Sequence, residues 1–163
     1  MKEVERVYLV DDPERKQGLI DFTFSSIPHT KALGVELVSL ERNKAICRLP
    51  YKKEFVGNIE NGALHTGVLI SLVDTTAGLA VFGALPQAES VATLDLRLDC
   101  FKPSTPNKAV YAQAECYRLT KTVAFIRGSI YHDTLNDPIS GCVATFFRTG
   151  NPAKIQKDTD RWP

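Results

Sequence analysis

The chain has 163 residues, 44% of them hydrophobic and 24% charged, which suits one compact domain (residues 1–163) with a core of its own. Its formal charge is +1 and it carries no basic run, so nothing in the sequence favours a nucleic acid partner. The four cysteines lie far apart without a CxxC pair. A zinc site is therefore not indicated, and a reducing compartment is expected.

The N-terminal segment, residues 1–30, is predicted to be helical. Its first residues are charged and lack the apolar run of a signal peptide, so we expect a cytoplasmic protein. Asp12 suits the N-cap of a helix and Pro13 suits its first turn. The helix is expected to run to about Ser26, and Pro28 ends it.

Two alternating runs follow, VELVSLE at 35–41 and KAICRLP at 44–50. Their alternation of apolar and polar residues predicts strands. Only Arg42 and Asn43 separate them, which is hairpin spacing, although Arg-Asn is a weaker turn than Asn-Gly.

The apolar segment at 65–85, HTGVLISLVDTTAGLAVFGAL, predicts a helix that is buried nearly all round, with the single carboxylate of Asp74 near its middle. Burying an unpaired carboxylate costs several kcal/mol unless hydrogen bonds relieve it. A carboxylate in this setting is suited to accept a proton, as a general base does. Asp74 is therefore the first candidate for chemistry.

Two other interpretations of this segment are open. It is long enough for a membrane span, but on insertion scales the carboxylate, glycines and hydroxyl side chains offset the apolar residues to a sum near zero, so no membrane is expected. It could also be a core helix whose Asp74 only hydrogen-bonds to neighbouring backbone.

The loop before the helix favours a functional interpretation. Gly57, Asn58, Asn61 and Gly62 allow it unusual dihedral angles. A helix that begins after such a loop presents unpaired N–H groups and the positive end of its dipole, which suit an oxyanion.

The distance between Thr66 and Asp74 predicts an oligomer. Thr66 and Asp74 are eight residues apart, which is about 12 Å along one helix and too far to serve one carbonyl. Both can act on one substrate if two helices lie antiparallel across a two-fold axis. The sequence therefore predicts a homodimer with two shared sites at its interface.

The sequence after the helix predicts mainly strands. After a loop at 86–90, alternating runs occur at 91–101, 109–119, 123–132 and 139–148, with turns at 120–122 and 136–138. In the first run one face is predicted to carry Leu94, Leu96, Leu98 and Cys100, and the other Thr93, Asp95, Arg97 and Asp99. A loose tail is expected over 150–163. The predicted class is α+β, with a sheet curled around the helix.

The loop and helix resemble the hotdog-fold acyl-CoA thioesterases, in the branch that includes the phenylacetic-acid-degradation thioesterases. The resemblance extends over about residues 27–147. That branch carries an Asn, a short Gly-containing loop, Leu-His-Gly-Gly and an Asp seven residues on. The matching residues are Asn58, Gly62, Leu64, His65, Thr66, Gly67 and Asp74. The resemblance implies a hotdog fold, in which an antiparallel sheet of about six strands wraps a central buried helix, and it makes residues 28–33 a short turn.

The resemblance also implies roles. Asp74 would activate the attacking water or attack directly, while the backbone N–H of Thr66 polarises the thioester carbonyl. Asn58 would hold the carbonyl or the water. Thr93 stands where the family often has a Ser that hydrogen-bonds to the acid or the water.

Three points stay open at the site. Thr66 replaces the usual Gly, so its side chain narrows the approach to the N–H. Loop length leaves Asn61 as an alternative to Asn58, which we prefer. His65 is either catalytic or a neutral ring packed beside the helix start, and without a paired Ser or Cys nucleophile it forms no triad.

The expected substrate is a small or medium acyl-CoA, with no cofactor or metal. Lys102, Lys121 and Arg97 are candidates to contact the phosphates of coenzyme A, and the alternative for each is a solvated rim. A protein that binds acyl-CoA without hydrolysing it is the first alternative function, and a hydratase or dehydratase on the same fold is the second. A homotetramer is as open as a homodimer.

Overall fold

The computed structural model describes residues 8–152, and predictions for residues 1–7 and 153–163 lie outside this part of the chain. The helices are α1 (Pro13–Asp21), α2 (Pro28–Leu33) and α3 (Thr66–Ala84). The strands are β1 (Glu36–Glu41), β2 (Lys44–Leu49), β3 (Val56–Asn58), β4 (Ala63–Leu64), β5 (Glu89–Cys100), β6 (Val110–Leu119), β7 (Val123–Tyr131) and β8 (Ser140–Pro152).

The N-terminal helix begins where predicted. The carboxylate of Asp12 caps α1 by accepting hydrogen bonds from two N–H groups of its first turn. The helical conformation extends to Ser26, as predicted, although its last five residues, Phe22–Ser26, form a π-helical turn after α1 ends at Asp21. Residues 28–33 form α2 rather than the expected turn, because the proline fits the first turn of a new helix and Gly34 ends it in the left-handed conformation.

The main sheet has six antiparallel strands in the order β1-β2-β6-β7-β8-β5. The predicted hairpin joins β1 to β2, and Asn43 takes a φ of 61° in its turn. A second, two-stranded sheet pairs β3 with β4 within the loop before α3. The predicted α+β architecture, a six-stranded sheet with a central helix and an N-terminal helix, is confirmed.

Helix α3 packs on one face of the sheet because that face carries small side chains. The buried residues there include Ala45, Cys47, Ala112, Ala114 and Ala124. At the end of α3, Gly83 approaches the β1–β2 turn so closely that a Cβ would lie 2.4 Å from the carbonyl oxygen of Glu41. Only glycine fits at that contact.

Strand β5 lies at the edge of the sheet, and most of its residues are exposed. Its predicted alternation is wrong at one point, since the register shifts between Thr93 and Asp95. This bulge turns Thr93 toward the helix and leaves Leu94 58% exposed.

The sequence predicted that helix α3 is buried nearly all round, and this prediction is wrong. Its length and composition would also suit a membrane span, yet 56% of that window is buried inside the structure. One face stays open along its whole length. Exposed or half-buried positions on that face include Thr66, Ile70, Ser71, Asp74, Gly78 and Phe82.

Candidate active site

The start of α3 is fixed by His65, the N-cap residue. Its Nδ1 accepts a hydrogen bond from the N–H of Gly67 at 3.0 Å, and its own N–H donates to the carbonyl of Phe55. Two glycines make room for the ring. A Cβ on Gly57 would lie 2.6 Å from the Cα of His65, and one on Gly67 would lie 3.0 Å from Nδ1. Because Nδ1 is an acceptor, the proton of the neutral ring is on Nε2.

The N–H of Thr66 finds no acceptor among residues 8–152. Thr66 is the first residue of the helix, so the carbonyl four residues earlier is not in helical position, and the N–H of Gly67 next to it is occupied by His65. The Thr66 side chain is exposed. The helix start therefore offers one unpaired N–H together with the positive end of the helix dipole.

Asp74 is half-buried on the open face of α3 and is held by the edge strand. The hydroxyl of Thr93 donates to its Oδ1 at 2.8 Å. No described residue donates a hydrogen bond to Oδ2. The structure thus brings Thr93 to Asp74, and the bulge in β5 is what allows the contact.

Asn58 serves its own loop in this chain. Its Oδ1 accepts from the N–H groups of Glu60 and Asn61, while Asn61 in turn accepts from the N–H of Ala63. Its side chain is exposed, and its amide nitrogen has no partner among the described residues. Asn58 can therefore donate a hydrogen bond outward from a loop that its own oxygen keeps in shape.

The basic residues expected near coenzyme A are widely separated. Lys102 follows β5 and pairs with Asp137, and Arg97 pairs with Asp99 at 3.0 Å on the strand itself. Lys121 is exposed in the β6–β7 turn. Strand β8 pairs with β5 at Ser140 and with β7 at Phe147, so Lys102 and Lys121 lie at opposite ends of the sheet, roughly 23 Å apart at seven strand residues.

Sequence reasoning missed two side chains beside the site. Nε2 of His29, on α2, lies 3.1 Å from the hydroxyl of Ser71, which also donates to the carbonyl of Gly67. The hydroxyl of Ser104 accepts from the N–H of Leu64 and so ties the loop after β5 to the loop before α3. Neither contact has a signal in the sequence, because each joins residues about 40 positions apart.

The residues divide into two groups within one chain. Thr66, Gly67 and His65 form the helix start, whereas Asp74 and Thr93 lie two turns further along, about 12 Å at helical rise. No group of three or more His, Cys, Asp or Glu that could hold a metal ion occurs within residues 8–152. The chemistry available is that of a carboxylate and of an N–H donor separated by those two turns.

Similarity to known sequences identifies the family of the chain. A family profile described as the thioesterase superfamily matches residues 61–139. The medium/long-chain acyl-CoA thioesterase YigI of Salmonella typhimurium is 30% identical over 122 residues, which cover 66% of this chain and 77% of that protein. A relative from Saccharolobus solfataricus is 34% identical over 73 residues, or 45% of this chain, and the chain spans only 50% of its length.

Solved structures share the fold. A Pseudomonas aeruginosa protein is 39% identical with a TM-score of 0.71, covering 78% of this chain and 94% of the other. The Escherichia coli PaaI protein from the phenylacetic acid degradation operon superposes with a TM-score of 0.72 over 84% of this chain and 92% of its own, and at 17% identity this likeness establishes the fold alone. The chain therefore belongs to the thioesterase superfamily and has the hotdog fold.

Proposed function

We propose that the protein is an acyl-CoA thioesterase in which Asp74 activates water and the Thr66 N–H stabilises the oxyanion. The proposal rests on the hydrogen bonding of these two groups. Thr93 occupies one oxygen of Asp74 and leaves the other available, while the Thr66 N–H has no acceptor within residues 8–152. A general base and an oxyanion donor are the two groups that ester-type hydrolysis requires.

The reaction follows from those positions. Oδ2 of Asp74 takes a proton from water as the water oxygen attacks the thioester carbonyl. The negative charge that develops on the carbonyl oxygen is held by the Thr66 N–H, and Asn58 supports the carbonyl or the water. The tetrahedral intermediate then expels the thiolate, which recovers the proton, leaving a carboxylic acid and coenzyme A. Direct attack by the Asp74 carboxylate, followed by hydrolysis of the resulting anhydride, gives the same products.

The distance of about 12 Å between the two groups makes a homodimer part of the proposal. If Thr66 of one helix lies opposite Asp74 of an antiparallel partner, the two-fold axis passes beside the residue halfway between them. That residue is Ile70, which is apolar and 41% exposed. The exposed edge of β5 offers a second surface for the partner.

A two-fold axis would also explain how basic residues that are far apart in one chain could contact the same coenzyme A. Within one chain Lys102 and Lys121 lie at opposite ends of the sheet. Antiparallel packing would bring the loop after β5 of one subunit, which is tied to the start of α3, toward the other subunit's active site. We expect the phosphates of coenzyme A to meet Lys102, Lys121 and Arg97 in this mixed arrangement. A homotetramer and a cytoplasmic location stay predictions.

The class of acyl-CoA substrate is also part of the proposal. A small or medium acyl-CoA is expected from the resemblance, and the name of the YigI relatives adds medium and long chains. A panel of acyl-CoAs from acetyl to palmitoyl, assayed for released thiol, would define the range.

The decisive test is Asp74→Asn, which keeps the shape and removes the base. Turnover should fall by about 10²-fold or more, in line with general-base contributions. Asp21→Asn, at an exposed carboxylate of α1, is the matched control and should leave turnover unchanged. Full activity of a folded Asp74→Asn protein would exclude the mechanism.

The dimer has its own test. In a Cys100→Ser background, which removes the exposed native thiol, Ile70→Cys should form a disulfide-linked dimer on mild oxidation. Glu14→Cys, on exposed α1, should not. Absence of the cross-link from a dimeric Ile70→Cys protein would place the axis elsewhere.

An acyl-CoA-binding protein without hydrolysis is the second candidate, and the exposed Thr66 side chain is the observation that favours it. It stands where the resembling family has glycine, at the approach to the N–H. Thermal stabilisation by acyl-CoA without release of thiol would identify a binder.

A further inference from the structure

The open face of α3 continues past Asp74 toward the C-terminal end of the helix. Between residues 76 and 84 every position is buried except Gly78 and Phe82, which are half-buried. Both lie on the same side as Asp74, at spacings of four and eight residues. An open stripe therefore leads from the candidate base to an aromatic ring.

Gly78 is not required by the packing of its own chain. A Cβ at this position would meet only the ring of Phe146, at an ordinary contact distance of 3.9 Å. Gly83, on the same helix, is different, because a Cβ there would collide with the backbone of Glu41 at 2.4 Å. Glycine inside a helix destabilises it relative to alanine. The packing of residues 8–152 therefore leaves room for a side chain at Gly78.

Apolar side chains line this space. Strand β5 runs back beside α3, and Thr93 contacts Asp74, so residues earlier in β5 lie beside later residues of α3. Val91 is two strand residues before Thr93, about 7 Å, and Gly78 is four helical residues after Asp74, about 6 Å. Val91 is on the same strand face as Thr93 and packs against the core. Phe146 is therefore in contact range of a Cβ at Gly78, while Val91 and Phe82 are placed near this position by their spacing along β5 and α3.

In the opposite direction from Asp74, the same face of α3 carries a polar contact at Ser71, and Ile70 lies beside the proposed two-fold axis, where the partner helix would cover it. One turn earlier on the same face, the hydroxyl of Ser71 is engaged by the carbonyl of Gly67 and by the ring of His29. An apolar group at Asp74 would have to displace this polar contact to extend that way. Toward Gly78 it meets only apolar surface.

We infer that Gly78 sets the length of acyl chain that the enzyme accepts, with the chain lying along α3 from Asp74 toward Phe82. This inference rests on the proposed thioesterase function. The thioester carbonyl at Asp74 fixes one end of the acyl chain, and the ring of Phe82 limits the other, about 12 Å away at eight helical residues. An extended chain of medium length has that size. The exposed loop before α3 of the partner, where Ile59 is 94% exposed, would cover the groove.

The test compares Gly78→Val with Gly78→Ala and with Ser71→Val, using acetyl-, hexanoyl- and decanoyl-CoA. Gly78→Val should lower kcat/KM for decanoyl-CoA by roughly tenfold or more, since even one added methylene in an apolar pocket has an effect of that order. Activity on acetyl-CoA should stay within about twofold on the same scale. Gly78→Ala should give a smaller loss of the same kind with a raised melting temperature, while Ser71→Val should not shift the chain-length profile.

Three outcomes would overturn the inference. They are an unchanged profile in a dimeric Gly78→Val protein, a loss that is equal for all chain lengths, and a profile that shifts in Ser71→Val instead. If Gly78→Val does not fold, the same comparison is made with Gly78→Ala, for which the helix has room. A parent protein that hydrolyses none of the acyl-CoAs contradicts the proposed function itself, which keeps the two failures distinct.

Discussion

The hydroxyl of Thr93 donates a hydrogen bond from the edge strand to Oδ1 of Asp74 at 2.8 Å, and no residue within 8–152 donates to Oδ2. Thr93→Val preserves shape and removes the donor. A hydrogen bond to a charged group contributes about 1.5–3 kcal/mol, so kcat should fall by at least about tenfold with little change in KM. Thr93→Ser keeps the hydroxyl and should retain most of the activity. Equal turnover of the Val variant and the parent protein would show that the contact does not orient the base.

His65 caps α3 through Nδ1, and this role can be separated from catalysis. His65→Ala removes the cap and should lower the free energy of unfolding by about 1 kcal/mol, measured by urea denaturation. Asn is a good N-cap, so His65→Asn should recover that stability. If the asparagine variant also recovers kcat, His65 acts only on the helix start. If it is stable and slow, the Nε2 proton takes part in the reaction.

Much of this fold could be predicted from local patterns. The β1–β2 alternation and the apolar run at 65–85 each gave the right element, because periodicity follows directly from which face is buried. The π-helical turn at Phe22–Ser26 and the bulge in β5 could not be predicted. The bulge is associated with a tertiary contact, the hydrogen bond between Thr93 and Asp74, rather than with a local preference.

The candidate site shows the same division. Asp74 stood out because a lone carboxylate in an apolar run needs a reason to be there, and the glycines before His65 marked an unusual loop. The pairing of His29 with Ser71 joins residues 42 positions apart, and no spacing rule indicates it. The sequence also predicted that α3 is buried all round, whereas the face that carries Asp74 is left open.

The proposed contact between Lys121 and the nucleotide phosphates of coenzyme A can be tested with a truncated substrate. Lys121→Ala should raise KM for an acyl-CoA several-fold, in the range of roughly 1 kcal/mol for one exposed ion pair. It should leave KM unchanged for the matching acyl-pantetheine, which lacks the nucleotide phosphates. Lys16→Ala on α1 is the control. A KM that is unaffected with both substrates would assign Lys121 to the solvated rim.

The buried ion pair of Glu89 and Arg148 should contribute most of the stability at the N-terminal end of β5. The Glu89 side chain is 1% exposed and accepts from both Arg148 and the N–H of Gly150, while Arg148 also donates to the carbonyl of Thr120. Removing one partner leaves a buried charge, so Glu89→Ala should lower the free energy of unfolding by roughly 3–5 kcal/mol. The double variant Glu89→Leu with Arg148→Met should lose less than the sum of the two single variants. Additive losses would mean that the two side chains do not interact in the folded protein.

Three buried thiols predict a loss of stability in alkaline solution. Burial raises the pKa of Cys47 to about 11, and it does the same for Cys116 and Cys142, against an ordinary value of 9.0. The unfolded chain ionises these thiols first, so their contribution to stability is complete below pH 9 and is lost as the pH rises through about 11. Urea midpoints under reducing conditions should therefore fall between pH 8 and pH 10.5, beyond the fall caused by other groups. Cys47→Ala removes one of these titrations and should be less stable at pH 8 but decline less steeply with pH, whereas parallel declines would show that the Cys47 thiol ionises alike in both states.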